Sequence, residues 1–384
     1  MAELVKDVWE ARRDSILEHL EILKSELQRV EIERQDAGKS GIPRKAVLDK
    51  LIIGLYEYGT QHFKYFFDLL RTRDTLSFED KHHNNELVIL KREYVLRQVI
   101  ERMATDARVI SQAIQQRVFY QDSTDGQLIL DTLAKADKIA YAALQPAVNK
   151  GILSGNWTAL TYFMRDAQVR VIPYANVALV GIPLTCTREP RDFLAIPHEV
   201  GHSVYWNAHL PGSVKNKMWR DIEHSVVDTE TREPIIWLRK WAEEVFADVY
   251  GALVAGPSIG LSFQQLAEES DKHDFEGDDG HHPTPLLRAQ VYFEALQQSG
   301  KEAEAIELVK RWRGVLKKLG YHKSNLSGSE DNLRTAAVEP WGLLPDDLMF
   351  NVWDDEDLDG PRPFTSRGLD SHYTRIVRVG DAGT

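Results

Sequence analysis

The sequence predicts an α+β chain that is predominantly α. It reads as an N-terminal helical bundle over residues 1–150, a domain over 151–325 that joins a small sheet to further helices, and a C-terminal extension, 326–384, of irregular structure. Three observations carry this prediction. Apolar residues recur four and three apart early in the chain, short β-branched runs replace them between Trp157 and Cys186, and helical periodicity returns near Phe193. At 384 residues the chain has room for two or three domains.

Taken in order, Ile16, Leu20, Leu23, Leu27 and Val30 line one seam of a helix running from near Ala2 to near Asp36. The seam reads as intramolecular core; its alternative is a homodimer through the N-terminal helices, for which two heptads are short. Gly38, Gly41 and Pro43 stop this helix, and a second follows from about Arg44 to Arg73. A third covers Asn85 to about Tyr120 and a fourth Gln127 to about Asn149, and long helices with short joins fit a bundle or antiparallel hairpins. The runs Ala159–Met164, Gln168–Ile172 and Asn176–Ile182 are rich in Val, Ile, Thr and Tyr and read as strands. Further helices are expected near Phe193 and over Pro234–Ala255, Pro285–Gln298 and Glu302–Leu319.

Composition narrows the partners. With 43% hydrophobic and 28% charged residues the chain should fold rather than stay disordered. A net charge of −12 repels a phosphate backbone, so no nucleic acid is expected as a partner. The most apolar stretch, Val169–Cys186, contains Arg170, two prolines and Asn176, which argues against a membrane span. Asp7, Glu10 and Asp14 interrupt any export signal at the N-terminus, and the single cysteine, Cys186, fits a reducing compartment, so a cytoplasmic location is expected.

Chemistry concentrates in His198-Glu199-Val200-Gly201-His202. On a helix, positions four apart differ by about 40° of rotation, so both imidazoles point to one side and can bind one zinc ion, with Glu199 beside the ion's open position. Pro197 lacks an N–H, so the helix either starts or kinks there. A tetrahedral site needs a third protein ligand. In Trp241–Gly251 the acids Glu244 and Asp248 lie four apart on an otherwise apolar helix face, where unpaired carboxylates are costly. With Glu244 as third ligand, Asp248 one turn later can accept the N–H of a ligand histidine. Glu243 and Asp248 are the competing ligands.

These motifs resemble the gluzincin metallopeptidases, whose third ligand is a glutamate on a second helix followed four residues later by an aspartate. Glu244 follows His202 by 42 residues, farther than in the thermolysin-like members, and the polar stretch from Pro211 to Glu233 reads as a surface insertion. His281-His282-Pro283-Thr284-Pro285-Leu286-Leu287-Arg288 is similar to a segment of the branch that includes the prenyl-protein endopeptidases, although the chain lacks their membrane helices. The resemblance runs from about Tyr174 to Arg288. It implies a zincin-like catalytic domain and a zinc peptidase in which His198, His202 and Glu244 hold the metal and Glu199 is the general base. His282 or Arg288 would act as the donor to the oxyanion, with a helix cap or a salt bridge as their alternative role.

An extended peptide or protein substrate would lie along an edge strand, for which Asn176–Ile182 is the candidate, with Asn176 and Ala178 as contacts; a fully paired strand is the alternative. A rival reading keeps the same core as a scaffold that binds a partner through the helical half and hydrolyses little. Glu199 argues against it, because a structural zinc site has no need of a general base. Weaker signals remain. Asp355–Gly360 matches half of a calcium loop, but Ser366 stands at its twelfth position, so it reads as a solvated acidic loop. Glu268–Asp279 reads likewise, with a second metal site as its alternative. Trp206, Trp219, Trp237 and Trp241 read as core, or as the lining of a pocket.

Overall fold

A three-stranded sheet lies between two helical layers because its strands are apolar on both faces. The computed structural model describes residues 7–29, 44–71, 75–80, 86–118, 126–209, 219, 236–268, 282–283 and 285–319. The strands are β3 (Thr158–Met164), β4 (Gln168–Arg170) and β5 (Val177–Pro183), in the order β3-β5-β4, with β3 parallel and β4 antiparallel to β5. Side chains alternate across a strand. Leu160, Tyr162, Val177 and Leu179 therefore enter one core, and Ala159, Phe163, Ala178, Val180 and Ile182 enter the other.

The first core is closed by α1 (Val8–Arg29), α2 (Arg44–Arg71) and α3 (Arg92–Val118). Leu20, Leu23 and Leu27 of the N-terminal seam are buried in it, so these residues pack within the chain and are not available to a dimer. The second core contains α4 (Gly126–Asn149), α5 (Ala195–Asn207) and Tyr250 of α6 (Ile236–Ala255). The fourth helix thus leaves the bundle and covers the opposite face of the sheet, a choice of layer that periodicity does not encode. The remaining described helices, α7 (Pro257–Glu268), α8 (Pro285–Gln298) and α9 (Glu302–Lys318), pack on one another and on α6.

The third helix, expected from Asn85, begins later among the described residues. Glu86–Lys91 forms β2, paired antiparallel with β1 (Thr75–Asp80), and α3 begins at Arg92. Helix α7 is also additional to the expected elements. The 326–384 extension, the half calcium loop at 355–366, the stretch 269–279 and nearly all of the 211–233 insertion lie outside the described residues.

One buried ionic group ties the layers together. Asp137 of α4, with no exposed surface, accepts from Arg44 Nε (2.5 Å) and Arg117 (3.1 and 3.2 Å), and from the Thr161 backbone N–H and hydroxyl (both 2.7 Å). Burial opposes the charge on Asp137, but Arg117, Arg44 and Thr161 outweigh it and hold the carboxyl below its usual range. Removing one member strands the others in the interior. Asp137→Ala should therefore cost about 3–5 kcal/mol in urea unfolding, far more than an exposed substitution; a loss under about 1 kcal/mol would show that the group does not hold the layers.

Candidate metal centre

Helix α5 begins at Ala195, two residues before Pro197. The first helical N–H groups have no intrahelical acceptor, so a proline in the first turn breaks no bond, and the helix starts two residues before it. His198, Glu199 and His202 follow within this helix. Its partner α6 crosses close by: a Cβ at Gly201 would stand 2.9 Å from Ala247 Cα, and one at Gly251 would stand 3.5 Å from His198 Cα. Glycine at 201 allows the backbones to meet, and this brings the carboxylates of α6 onto the imidazoles of α5.

Ligand atoms of His198, His202 and Glu244 lie within 4.8 Å of one another. His198 Nε2 and His202 Nε2 are 3.1 Å apart; Glu244 Oε2 is 3.4 Å from the first and Glu244 Oε1 3.6 Å from the second. A tetrahedral zinc with bonds of 2.0–2.2 Å sets its ligand atoms roughly 3.3–3.6 Å apart, and each Nε2 has one Glu244 oxygen at about that distance, a different oxygen for each histidine. Glu244 Oε2 is buried with no hydrogen-bond partner among the described residues. Both observations fit a bound cation.

The opposite sides of the imidazoles are also fixed. His198 Nδ1 stands 2.9 Å from Asp248 Oδ1, and His202 Nδ1 stands 2.9 Å from Glu243 Oε1, which also accepts from Trp206 Nε1 at 2.6 Å. His202 Nδ1–H has the Glu243 carboxylate to donate to, while His198 Nδ1 has Asp248 in ion-pair contact without hydrogen-bond geometry, and the Nε2 atoms of the two rings face each other. Two facing lone pairs at 3.1 Å repel unless a proton or a metal lies between them. Glu243, one of the competing ligands, is thus the orienting partner of His202, and Asp248, the other, is that of His198. Trp206 lies four residues after His202 on the same helix face, a signal the sequence contained. Its ring packs on Trp219 at 5.2 Å and Trp241 is buried, while the side chain of Trp237 is outside the described residues.

Arg288 of α8 grips Asp248 with two hydrogen bonds, Nε to Oδ2 at 2.7 Å and an Nη to Oδ1 at 2.8 Å, and comes within 3.7 Å of Glu244. Tyr292, one turn later, donates its hydroxyl to Asp248 at 2.6 Å. Arg288 is therefore engaged with Asp248, as the salt-bridge alternative has it, and also lines the cleft. His282 lies at the rim, half exposed, with Nε2 3.4 Å from Glu244 Oε1. Glu199, only 8% exposed, accepts the Val169 N–H of β4 at 2.7 Å. Asn176 and Ala178 do not line the cleft that opens on His198, His202 and Glu244. Ala178 is buried in the central strand β5, and the Asn176 side chain donates to Asn156 at 2.7 Å.

Burial opposes charge on these groups, and their neighbours overcome it. Desolvation lowers the pKa of His198, but the contacts with Asp248 and Glu244 outweigh it and raise it from 6.5 to about 9. Desolvation likewise raises Asp248, but Arg288 and His198 bring it well below its usual range, and the histidines with Arg288 lower Glu244. A cleft of about 610 Å³ opens on the triad, with β4 and the 164–168 turn on one side and Ile259, Phe263 and Leu266 of α7 on the other. No helix among the described residues is long and apolar enough to cross a membrane. No family model, curated protein or solved structure matches this chain.

Two outcomes follow. Glu243→Ala should keep the fold while lowering zinc affinity about 10–100-fold in competition with a chelator, since His202 loses its orienting acceptor; unchanged affinity would remove that role. The second is a pH dependence. His198 with a pKa near 9 is protonated at neutral pH in the metal-free protein and must lose that proton to bind zinc. Affinity should therefore rise with pH up to about 9, and calorimetry in buffers of different ionisation enthalpy should find about one proton released per zinc at neutral pH. No released proton would contradict the arrangement.

Proposed function

We propose that this protein is a zinc-dependent peptidase with a zincin-like catalytic half, hydrolysing peptide bonds in a cleft between β4 and α7. One observation carries the reading: two imidazoles and a carboxylate from two helices bring their ligand atoms within 4.8 Å of one another, with a second acid, Glu199, beside them on the cleft wall. A structural site closes on four protein ligands, whereas this one offers three among the described residues and borders open space. Zinc held by His198, His202 and Glu244 supplies Lewis acidity toward a carbonyl and brings the pKa of coordinated water toward neutrality.

The rest is the work of the chain's own groups. Glu199 takes a proton from the attacking water as its oxygen bonds to the carbonyl carbon, and then delivers that proton to the departing amine as the C–N bond breaks. Its Oε2 is held by the Val169 N–H, which orients the carboxylate and leaves Oε1 for the proton. Asp248 and Glu243 fix the tautomers of the two histidines, and Arg288 with Tyr292 keeps Asp248 ionised and in place. His282, at the rim, is the donor nearest the open side.

Substrate lies extended along β4, which is an edge strand where β5 is not. The Val169 N–H points away from β5, and in an antiparallel strand its C=O points the same way, presenting an acceptor to a peptide N–H. The apolar wall of Ile259, Phe263 and Leu266, the last 66% exposed, favours a large apolar substrate side chain.

The decisive comparison is Glu199→Gln. That variant should bind zinc as the parent does while turnover of a peptide library, followed by mass spectrometry, falls about 10²–10⁴-fold. Equal turnover in the two proteins, or a parent protein that binds no zinc, would overturn the proposal.

A further inference from the structure

Strand β4 has three residues, Gln168–Arg170, and among the described residues pairs only with β5. So short a strand is weakly held by its ladder alone. What fixes it comes from the helical half. Asp106 of α3, with no exposed surface, accepts from Arg170 Nε at 2.6 Å through Oδ1 and from the Tyr174 hydroxyl at 3.0 Å through Oδ2. One turn earlier on the same helix, Arg102 donates to the Val171 carbonyl at 2.7 Å. The residue before Arg170 is Val169, whose N–H holds Glu199. Successive residues of one short segment thus touch the proposed general base, Asp106 and Arg102.

The same helix treats the other edge of the sheet differently. At β3 it closes the outer main chain with side chains: Gln116 accepts from the Phe163 N–H at 2.7 Å, Gln112 and Gln116 donate to the Phe163 carbonyl at 2.7 and 2.8 Å, and Arg117 donates to the Thr161 carbonyl at 2.8 Å. Asp137 of α4 takes the Thr161 N–H. A capped edge cannot accept another strand. At β4, α3 grips the Arg170 side chain and the carbonyl just beyond the strand; the Val169 N–H goes to Glu199 and no α3 side chain covers the Val169 main chain.

From this asymmetry we infer that Asp106, assisted by Arg102, is a positioning residue: through Arg170 and Val171 it sets the place of β4 against Glu199, so the N-terminal helices form part of the catalytic apparatus. The inference rests on the peptidase reading for its consequence in turnover. The placement of β4 is measurable without any turnover.

Asp106→Asn keeps the shape of the side chain but leaves one acceptor oxygen for two donors. Arg102→Met keeps the length and removes the donor to Val171. In the full chain loaded with zinc, both variants should retain the parent's zinc content. Amide hydrogen exchange over residues 167–171 should become at least about tenfold faster in Asp106→Asn and a few-fold faster in Arg102→Met, with β5 and α5 exchanging as in the parent. On a peptide the parent cleaves, kcat in Asp106→Asn should fall at least about tenfold and KM should rise. Unchanged exchange over 167–171 in both variants would overturn the inference, and so would acceleration spread equally over β5 and α5, which marks general loosening. If Asp106→Asn does not fold, Arg102→Met alone decides by the same criteria. A parent that cleaves no peptide would sink the peptidase reading, and the exchange result would still decide whether α3 positions β4.

Discussion

The distance between α5 and α6 is the constraint on which the rest of the site depends. Spacing within α5 puts His198 and His202 on one side of a single helix, and any helix would do that. Glu244 belongs to another element, and its carboxylate reaches the imidazoles because Gly201 lets Ala247 come within van der Waals range of the α5 backbone. Helix separations vary by about 2 Å with the size of the side chains at the crossing, while a coordination bond tolerates only about 0.2 Å. A residue inside the histidine motif that ligates nothing thus decides whether the third ligand is within reach. Gly251, facing His198 one turn beyond Asp248, extends the same close approach along the helix pair.

From that crossing the support spreads outward in two arms. His202 is braced by Glu243, and Glu243 by Trp206, so one arm returns to α5. His198 is braced by Asp248, and Asp248 by Arg288 and Tyr292, so the other arm reaches α8. Arg288 and Tyr292 stand four apart and share a helix face, which lets one buried carboxylate order both. A third connection runs from Glu199 through Val169 to β4 and on to α3. The imidazoles and the acid beside them are therefore oriented by four separate helices and a strand.

The sequence made the ligand triad legible because its information is local or nearly so. Two histidines four apart and two acids four apart on an apolar face state their own geometry, and the cost of an unpaired buried acid calls for a partner. The edge strand was not legible. Asn176–Ile182 is the longest apolar run before the motif, and it is apolar because it is central and covered on both faces, the opposite of an edge. Which strand lies outermost depends on pairing order, a long-range property that no window of sequence contains. The β1–β2 ribbon failed for another reason: Glu86–Lys91 is a short apolar run that continues directly into a true helix, and periodicity cannot separate the two. Glu243 and Glu244 are adjacent acids of the same type, and only the crossing geometry gives one to the metal triangle and the other to His202.

Charge balance supplies the final step. Glu199, Glu243, Glu244 and Asp248 place four carboxylates around two imidazoles, and Arg288 supplies one fixed positive charge in contact with two of them. Concentrating like charges in a partly buried site is costly unless cations compensate. Without a metal, the nearest remedy is a proton on His198, which is the direction its pKa takes. That remedy places a donor on the Nε2 facing His202 and satisfies one lone pair at the expense of a basic group held against its desolvation. A dication in the same triangle offsets more charge, accepts both Nε2 lone pairs, and gives Glu244 Oε2 the partner it lacks among the described residues. The unfavourable features of the metal-free arrangement are thus the ones that a bound metal would resolve together.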